Sequence, residues 1–352
     1  MSWEDYSAEQ NKKNPFENHA CGFRQGKEYQ IIMEKTEIPV IDVIIPAYRP
    51  DDSFHKLIRL LLEQSVKPHH IYVLQTIEDG EQVLQPLDQR MSVHPVPKKE
   101  FDHGATRDYG AGLAVKDIGD DISQHYILFM TQDAVPAGTE LLERLVKPFG
   151  DDRTAITYAR QLAREEADLL ERLTRVHNYP PEDQVKSKED LERLGIKTYF
   201  CSDVCAMYRL DRYMEQGGFV HPTIFNEDMI MASRMIQAGY QVVYCGSAEV
   251  VHSHNYSCMQ QFHRNFDLGV SQKQYREVFE SISSEKEGAG YAKSTLLYLL
   301  KRGKPGKAFY FALQCGFKLI GYKLGKNYDH LPRKMVLWCT MTPGYVLFHQ
   351  DE

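Results

Sequence analysis

The sequence predicts an α/β protein: an open, mostly parallel sheet with helices on both faces, followed by a helical C-terminal appendage. Three observations carry this. Short, nearly continuous apolar runs recur at 40–46, 70–75 and 126–130, as buried parallel strands require. Helical stripes separate them, so strand and helix alternate with right-handed crossovers. Asp133, His252 and His254 follow strand ends, where open α/β sheets hold ligands.

Taken in order, residues 1–37 are polar with little periodicity and read as a lead-in. Run 40–46 is the first strand, ended by Pro46. Ser53 is placed to cap a helix whose stripe is Phe54, Leu57, Ile58, Leu61 and Leu62. Residues 70–75 form the next strand. The spacing predicts a helix over 106–115 and the fourth sheet strand over 126–130. From 155 to 218 the pattern is mixed, with a charged helix over 162–176 that Pro180 and Pro181 break, and a strand over 197–208. A helix is expected over 228–238, stopped by Gly239. Short strands follow at 241–245 and 249–252. After Ser271 the chain turns helical and basic, with helices over 293–300 and 308–324 parted by Gly303, Lys304, Pro305 and Gly306.

At 352 residues the chain can hold one large α/β domain with an appendage, or two domains. The expected division is a lead-in at 1–37, a main α/β unit at 38–275 with halves at 38–135 and 136–275, and a basic helical region at 276–352. The net charge of −7 argues against a nucleic-acid partner. Charge is uneven, however: 293–334 hold ten Lys and Arg against one acid, Asp329. Seven cysteines form no disulfide framework. Cys201 and Cys205 lack the second pair a zinc site needs, and read as buried free thiols in a reducing cytoplasm. No signal peptide is expected from the polar, acidic start. No apolar run reaches the roughly 18 residues that would span a bilayer.

Asp133 ends the fourth strand. An acid there can hold a divalent metal against a diphosphate, or it can simply cap a helix. Glu227 and Asp228 open a helix, where acids also complement the positive end of the helix dipole. One of the pair can instead take a proton from an attacking hydroxyl. His252 and His254 alternate after a strand, so both imidazoles share one face and one of them can join a metal. Arg264 follows closely and suits bidentate contact with phosphate, or a solvated helix face. Pro46, Ala47 and Tyr48 form a turn whose ring can hold a nucleobase, or a plain loop. The stretch from Phe101 to Asp108, with His103, Gly104 and Arg107, can line a nucleotide pocket. Arg107 would then lie near a phosphate or fold against Asp133; the plainer reading is a tight turn. Together the split acids point to sugar transfer from a nucleotide donor.

These residues, in this order, resemble the inverting family 2 glycosyltransferases of the GT-A fold, a Rossmann-like architecture, over about 38–275. Gln261-Phe262-His263-Arg264-Asn265 is similar to the QxxRW motif of processive members, with Asn for Trp. The strings FDHGATRD, TQDAVP, FNEDMIMA and HSHNYS resemble bacterial rhamnosyltransferases of cell-wall and capsule synthesis. There are two departures. The DxD motif reads Thr131-Gln132-Asp133, so only Asp133 carries over as metal ligand. The acid pair that grips base and ribose is replaced around Gln75 and Thr76, which leaves thymidine and uridine donors both open.

The resemblance implies an inverting rhamnosyltransferase using dTDP-β-L-rhamnose and Mg2+ or Mn2+. Asp228 would be the base and Glu227 its orienting neighbour. Asp133 with His252 or His254 would hold the metal. Pro46, Ala47, Tyr48, Gln75, Thr76, His103, Gly104, Arg107, Gln132, Asp133 and Arg264 would line the nucleotide-sugar site. The acceptor would be a glycan, or a glycan on a polyprenyl pyrophosphate, at the inner membrane face. The basic C-terminal helices would meet anionic lipid, the catalytic unit or a second copy of the chain. The alternatives are a family 2 enzyme with another donor, such as a UDP-sugar, and an inactive glycan-binding or scaffold protein. A nucleotidyltransferase would need a Gly-rich phosphate loop after the first strand, and none is present.

Overall fold

A computed structural model describes residues 39–118, 122, 124–280 and 285–349. The lead-in expected at 1–37 lies outside the described residues.

The sheet has nine strands: β1 (Val40–Tyr48), β2 (His70–Ile77), β3 (Met91–Pro97), β4 (His125–Met130), β5 (Val135–Pro136), β6 (Thr154–Leu162), β7 (Gln184–Lys186), β8 (Cys205–Arg209) and β9 (Gln241–Val251). Their order is β3-β2-β1-β4-β8-β6-β9-β5, with β7 beside β9. Strands β1 to β4, β6 and β9 run one way, and β5, β7 and β8 run against them. The sheet is mostly parallel by direction, with β8 inserted antiparallel between β4 and β6.

The continuous apolar runs are explained by two covered faces. Ile41, Val43, Ile45, Ile71, Val73, Leu128 and Met130 point to one face. There they meet Phe54, Leu57, Ile58 and Leu61 of α1 (Asp52–Leu62) and Leu141, Leu142 and Leu145 of α3 (Leu141–Val146). Ile44, Tyr72, Leu74, Ile127 and Phe129 point the other way. They meet Ala111 and Ala114 of α2 (His103–Ile118) and Met231 and Met235 of α5 (Glu227–Gln237). Helix α4 (Leu169–Asn178) follows β6.

Several boundaries differ from those expected. β1 runs through Pro46 to Tyr48. Its ladder with β4 ends at Ile44, so the proline sits where only β2 pairs with β1. Asp51, not Ser53, caps α1: its Oδ1 accepts from the Ser53 and Phe54 amides at 2.9 and 3.4 Å. The helix expected over 162–176 starts only at Leu169, because Thr154–Leu162 is the buried strand β6. The strand expected over 197–208 is a 3-10 turn, Gly195–Tyr199, and then β8. The two strands expected over 241–252 are one, β9, with an irregularity where Cys245 and Glu249 face Ala159 and Arg160. Cys201 and Cys205 are buried and free.

The C-terminal helices are α6 (Cys258–Gln274), α7 (Glu285–Lys301), α8 (Pro305–Gly325), α9 (Arg333–Cys339) and α10 (Pro343–His349). Helices α6 and α8 cross at backbone contact. A Cβ at Gly321 or Gly325 would stand 2.2 or 2.0 Å from the Phe262 or Phe266 carbonyl oxygen, so neither position accepts a side chain. Phe262, Phe266, Val336, Cys339, Tyr345 and Val346 join Ile224 in a third apolar cluster, on the chain that leads into α5. The apolar residues of α7 and α8 divide between two faces. Leu299 and Phe311 are buried, while Leu297, Leu300, Phe309, Leu313, Leu319 and Ile320 are exposed. Among the described residues no helix is long and apolar enough to cross a membrane.

Candidate active site

Three ligand-type side chains meet beyond the ends of β4 and β9. Asp133 comes from the turn after β4, and His252 and His254 leave β9 at alternate positions. Their ligating atoms all lie within 4.8 Å of one another. His252 Nε2 is 3.5 Å from Asp133 Oδ1, and His254 Nε2 is 3.3 Å from Asp133 Oδ2. His252 Nδ1 lies 3.1 Å from Gln161 Oε1 on β6. A proton on Nδ1 donated to that oxygen leaves the Nε2 lone pair aimed at the cluster. Burial, then the cations Arg175 and Arg164, holds the His252 imidazolium well below its usual range. His254 is also pushed down, chiefly by burial and against the pull of Asp133. Both rings are therefore neutral at neutral pH, the form that could ligate a metal. The sequence offered one histidine or the other, and the structure brings both to Asp133.

The cation beside Asp133 is Arg164, not Arg107: Arg164 Nη2 donates to Asp133 Oδ2 at 2.9 Å and to its carbonyl oxygen at 3.0 Å. Arg164 follows β6 and lies in the stretch 162–176 that sequence periodicity reads as helix, so its place at a strand end was not visible.

Arg107 instead reaches the acid pair. Its Nη1 donates to Glu227 Oε1 at 2.9 Å and to the His103 carbonyl at 3.0 Å. Asp228 is half-buried beside them. Its Oδ1 accepts the Met229 amide at 2.7 Å, and its Oδ2 accepts the Asp203 amide at 3.3 Å. Burial, then the Glu227 carboxylate, pushes Asp228 up to about 7. The pair is aimed by Asn226, whose φ of 67° is a left-handed conformation that Asn tolerates better than most residues. Asn226 Nδ2 donates to Ser271 Oγ of α6 at 3.0 Å, and Ser271 Oγ donates to the Phe225 carbonyl at 2.5 Å. Gly104 is needed here for close approach: a Cβ would stand 2.2 Å from the Val220 carbonyl oxygen.

At the far end of β1, Gln132 and Tyr48 exchange two bonds. The Tyr48 amide donates to Gln132 Oε1 at 2.8 Å, and Gln132 Nε2 donates to the Tyr48 carbonyl at 3.0 Å. Tyr48 Oη donates to Glu78 Oε1 at 2.5 Å, and Lys98 Nζ lies 2.7 Å from the same carboxylate. Gln75 is buried and pins the next loop, through Gln82 O at 3.2 Å and the Leu84 amide at 2.7 Å. Thr76 is buried, with its hydroxyl unpaired. Pro46 and Ala47 lie on the strand leading to Tyr48. Arg264 of α6 is exposed and lies over the Phe225 ring at 4.7 Å, next to the acid helix. Residues that sequence reasoning did not select are Arg164, Gln161, Asp203, Ser271, Glu78 and Lys98. Of these, Glu78 carried a signal, as an acid one residue past β2.

A mostly parallel sheet with acids and imidazoles at its strand ends is the frame of a group-transfer enzyme. The chain belongs to glycosyl transferase family 2, whose profile matches residues 42–215. It is 36% identical over 315 residues to the O-antigen chain rhamnosyltransferase RfbN of Salmonella typhimurium, covering 87% of this chain and 95% of that protein. It is 33% identical over 319 residues to the O-antigen chain rhamnosyltransferase WbaN of Salmonella anatum, covering 88% and 96%. Among solved structures, the mannosyltransferase PcManGT of Pyrobaculum calidifontis, in complex with GDP-Man and Mn2+, aligns with a TM-score of 0.45 at 12% identity, over 90% of this chain and 80% of that one. Residues 1–349 of S. aureus TarS align with a TM-score of 0.43 at 10% identity, over 83% and 91%. The protein is a glycosyltransferase.

Proposed function

We propose that the protein transfers an L-rhamnosyl unit, with inversion, from dTDP-β-L-rhamnose to a saccharide carried on polyprenyl pyrophosphate, in synthesis of a cell-surface polysaccharide. The observation that carries this is the match, along nearly their full length, to two relatives named as O-antigen chain rhamnosyltransferases. The acid cluster supplies matching chemistry. An acceptor hydroxyl attacks the anomeric carbon from the face opposite the leaving diphosphate. Its proton passes to Asp228 as the new C–O bond forms and the bond to the diphosphate oxygen breaks. Glu227, tied to Arg107, orients the turn that carries Asp228.

Asp133, His252 and His254 fit a divalent cation: their donor atoms converge, both rings are neutral, and His252 is fixed by Gln161. A cation bound there offsets the negative charge of the departing diphosphate. Mg2+ and Mn2+ both suit the carboxylate, and two imidazoles favour Mn2+. Arg164 adds a guanidinium at the same place, and Arg264 a second one nearer the acceptor side. Tyr48, Gln75, Thr76, His103, Gly104 and Gln132 bound the nucleoside end. Residues 38–275 serve as the catalytic unit, with the nucleotide held by 38–135 and the acceptor by 136–275. The test is to incubate the pure protein with Mn2+, a lipid-linked acceptor and either dTDP-rhamnose or UDP-sugars. Release of dTDP with a product one deoxyhexose larger is expected. Turnover of a UDP-sugar alone would overturn the donor assignment.

The exposed faces of α7, α8 and α9 dock the protein on anionic lipid at the inner membrane face, where such an acceptor resides. Phe309 and Trp338 are 68% and 62% exposed; Phe309 lies within 293–334, the segment with ten cations and one acid, and Trp338 lies just past it. Each near-surface cation contributes about 1 kcal/mol of attraction to anionic lipid. Flotation with phosphatidylglycerol vesicles should show binding that fades with salt and weakens at least tenfold in Phe309→Glu/Trp338→Glu. Vesicle binding unchanged in that variant would remove the membrane role. A concentration-dependent dimer lost in the same variant would assign the face to a second copy.

A further inference from the structure

Behind Asp133, His252 and His254 lies a second layer of polar side chains, supplied by α4. Glu171 and Arg175 stand one turn apart on that helix, and Arg175 Nε donates to Glu171 Oε1 at 2.6 Å. The same carboxylate oxygen lies 3.4 Å from the His254 amide. The start of α4 is tied to the chain after β9, because Asn255 Oδ1 accepts the Asp168 amide at 2.9 Å. With Nε spent on Glu171, Arg175 donates through Nη1 to Gln161 Oε1. Gln161 is 2% exposed, and its Nε2 donates to the Ser202 hydroxyl at 2.9 Å. Its Oε1 is also the atom that faces His252 Nδ1.

A buried amide can present either its oxygen or its NH2 group to an imidazole, and the choice sets which ring nitrogen carries the proton. The Ser202 hydroxyl does not make that choice, since a hydroxyl both donates and accepts. Arg175 does, since a guanidinium has donors only. Opposite Arg175 the amide must show Oε1, and His252 must then carry its proton on Nδ1 to bond to the same oxygen. The pull on the other side of the ring is the reverse. Asp133 Oδ1 stands 3.5 Å from His252 Nε2 and attracts a proton to that nitrogen. A proton on Nε2 would occupy the lone pair that a metal needs.

We propose that Arg175 is a positioning residue for the metal site: through Gln161 it holds His252 in the tautomer whose Nε2 lone pair faces Asp133 and His254. This rests on the reading of Asp133, His252 and His254 as metal ligands. A purely electrostatic role for Arg175 has the opposite sign. Arg175 is a cation that acts on His252, so by charge alone its removal would tighten the binding of a metal ion there.

Arg175→Met frees the Gln161 amide to turn. Long-range proton–nitrogen NMR spectra of the metal-free protein, with His252 assigned by substitution, should show Nδ1 protonated in the wild type and Nε2 protonated in Arg175→Met. Titration with Mn2+, followed by electron paramagnetic resonance, should show affinity lower by about tenfold to a hundredfold in Arg175→Met, the usual scale for loss of an outer-shell partner. Adding Gln161→Glu to that variant should restore most of the lost affinity, because an ionised carboxylate at this position can only accept. A gap left by a structural arginine would not be mended in that way. Protonation of Nε2 in the wild type overturns the proposal, and that spectrum decides the matter if Arg175→Met does not fold. Mn2+ binding that is unchanged or tighter in a folded Arg175→Met overturns the proposal alone. A wild type that binds no Mn2+ defeats the metal reading and the proposal with it, so the two failures are separable.

Discussion

Asp228→Asn is expected to lower kcat by about 10²–10⁴-fold, the usual scale for loss of a general base, with donor binding nearly intact. The amide has the same shape, and its oxygen can still accept the Met229 or the Asp203 amide. What it cannot do is take a proton. The wild-type profile should carry the same group's signature. Burial and the adjacent Glu227 push Asp228 up to about 7, and only its ionised form is a base. Turnover should therefore rise as pH climbs through about 7 and fall away below it, since protonation at low pH removes the base. Stopped assays of dTDP release from pH 5.5 to 8.5 would show this. Near-normal turnover by Asp228→Asn, or a flat wild-type profile, would sink the assignment.

Asp133→Ala is expected to abolish the metal-dependent part of nucleotide binding. The carboxylate lies within reach of both imidazoles and of Arg164, so its loss removes the shared anionic partner of the whole group. A methyl group cannot offset cationic charge or ligate a metal. Calorimetry with dTDP, in Mn2+ and in EDTA, is the measurement. The wild type should bind more tightly in Mn2+, and the variant equally weakly in both. Metal enhancement that survives in the variant would leave Asp133 as no more than a partner for Arg164.

The strands whose apolar runs were unbroken were legible in the sequence, because two covered faces demand apolar residues at every position. Strand β6 was not. Its Thr157, Arg160 and Gln161 are polar groups that find buried or half-buried partners, and such pairing is invisible in a pattern of hydrophobicity. Missing β6 hid Arg164 as well. Asp133, Glu227, Asp228 and both histidines stood out by their order and spacing taken together, since an acid at a helix start is by itself common. Asp203 did not, because Cys201 and Cys205 on either side drew attention to thiol chemistry. Arg107 was expected near a phosphate or against Asp133, and it pairs with Glu227. Its partner Glu227 is 120 positions away, and no local spacing specifies such a meeting.

The grip of α8 on α6 has a bearing on when the enzyme becomes competent. Ser271, which steadies Asn226 behind the acid pair, rides on α6, and α6 is seated against the carbonyl-to-glycine crossings at Gly321 and Gly325. A chain still emerging from the ribosome, and not yet past residue 325, already has every strand and every candidate catalytic side chain. It lacks the helix against which α6 settles. Elongation at about 5–20 residues per second separates these two moments by several seconds. Sugar transfer should accordingly appear late, with the last helices.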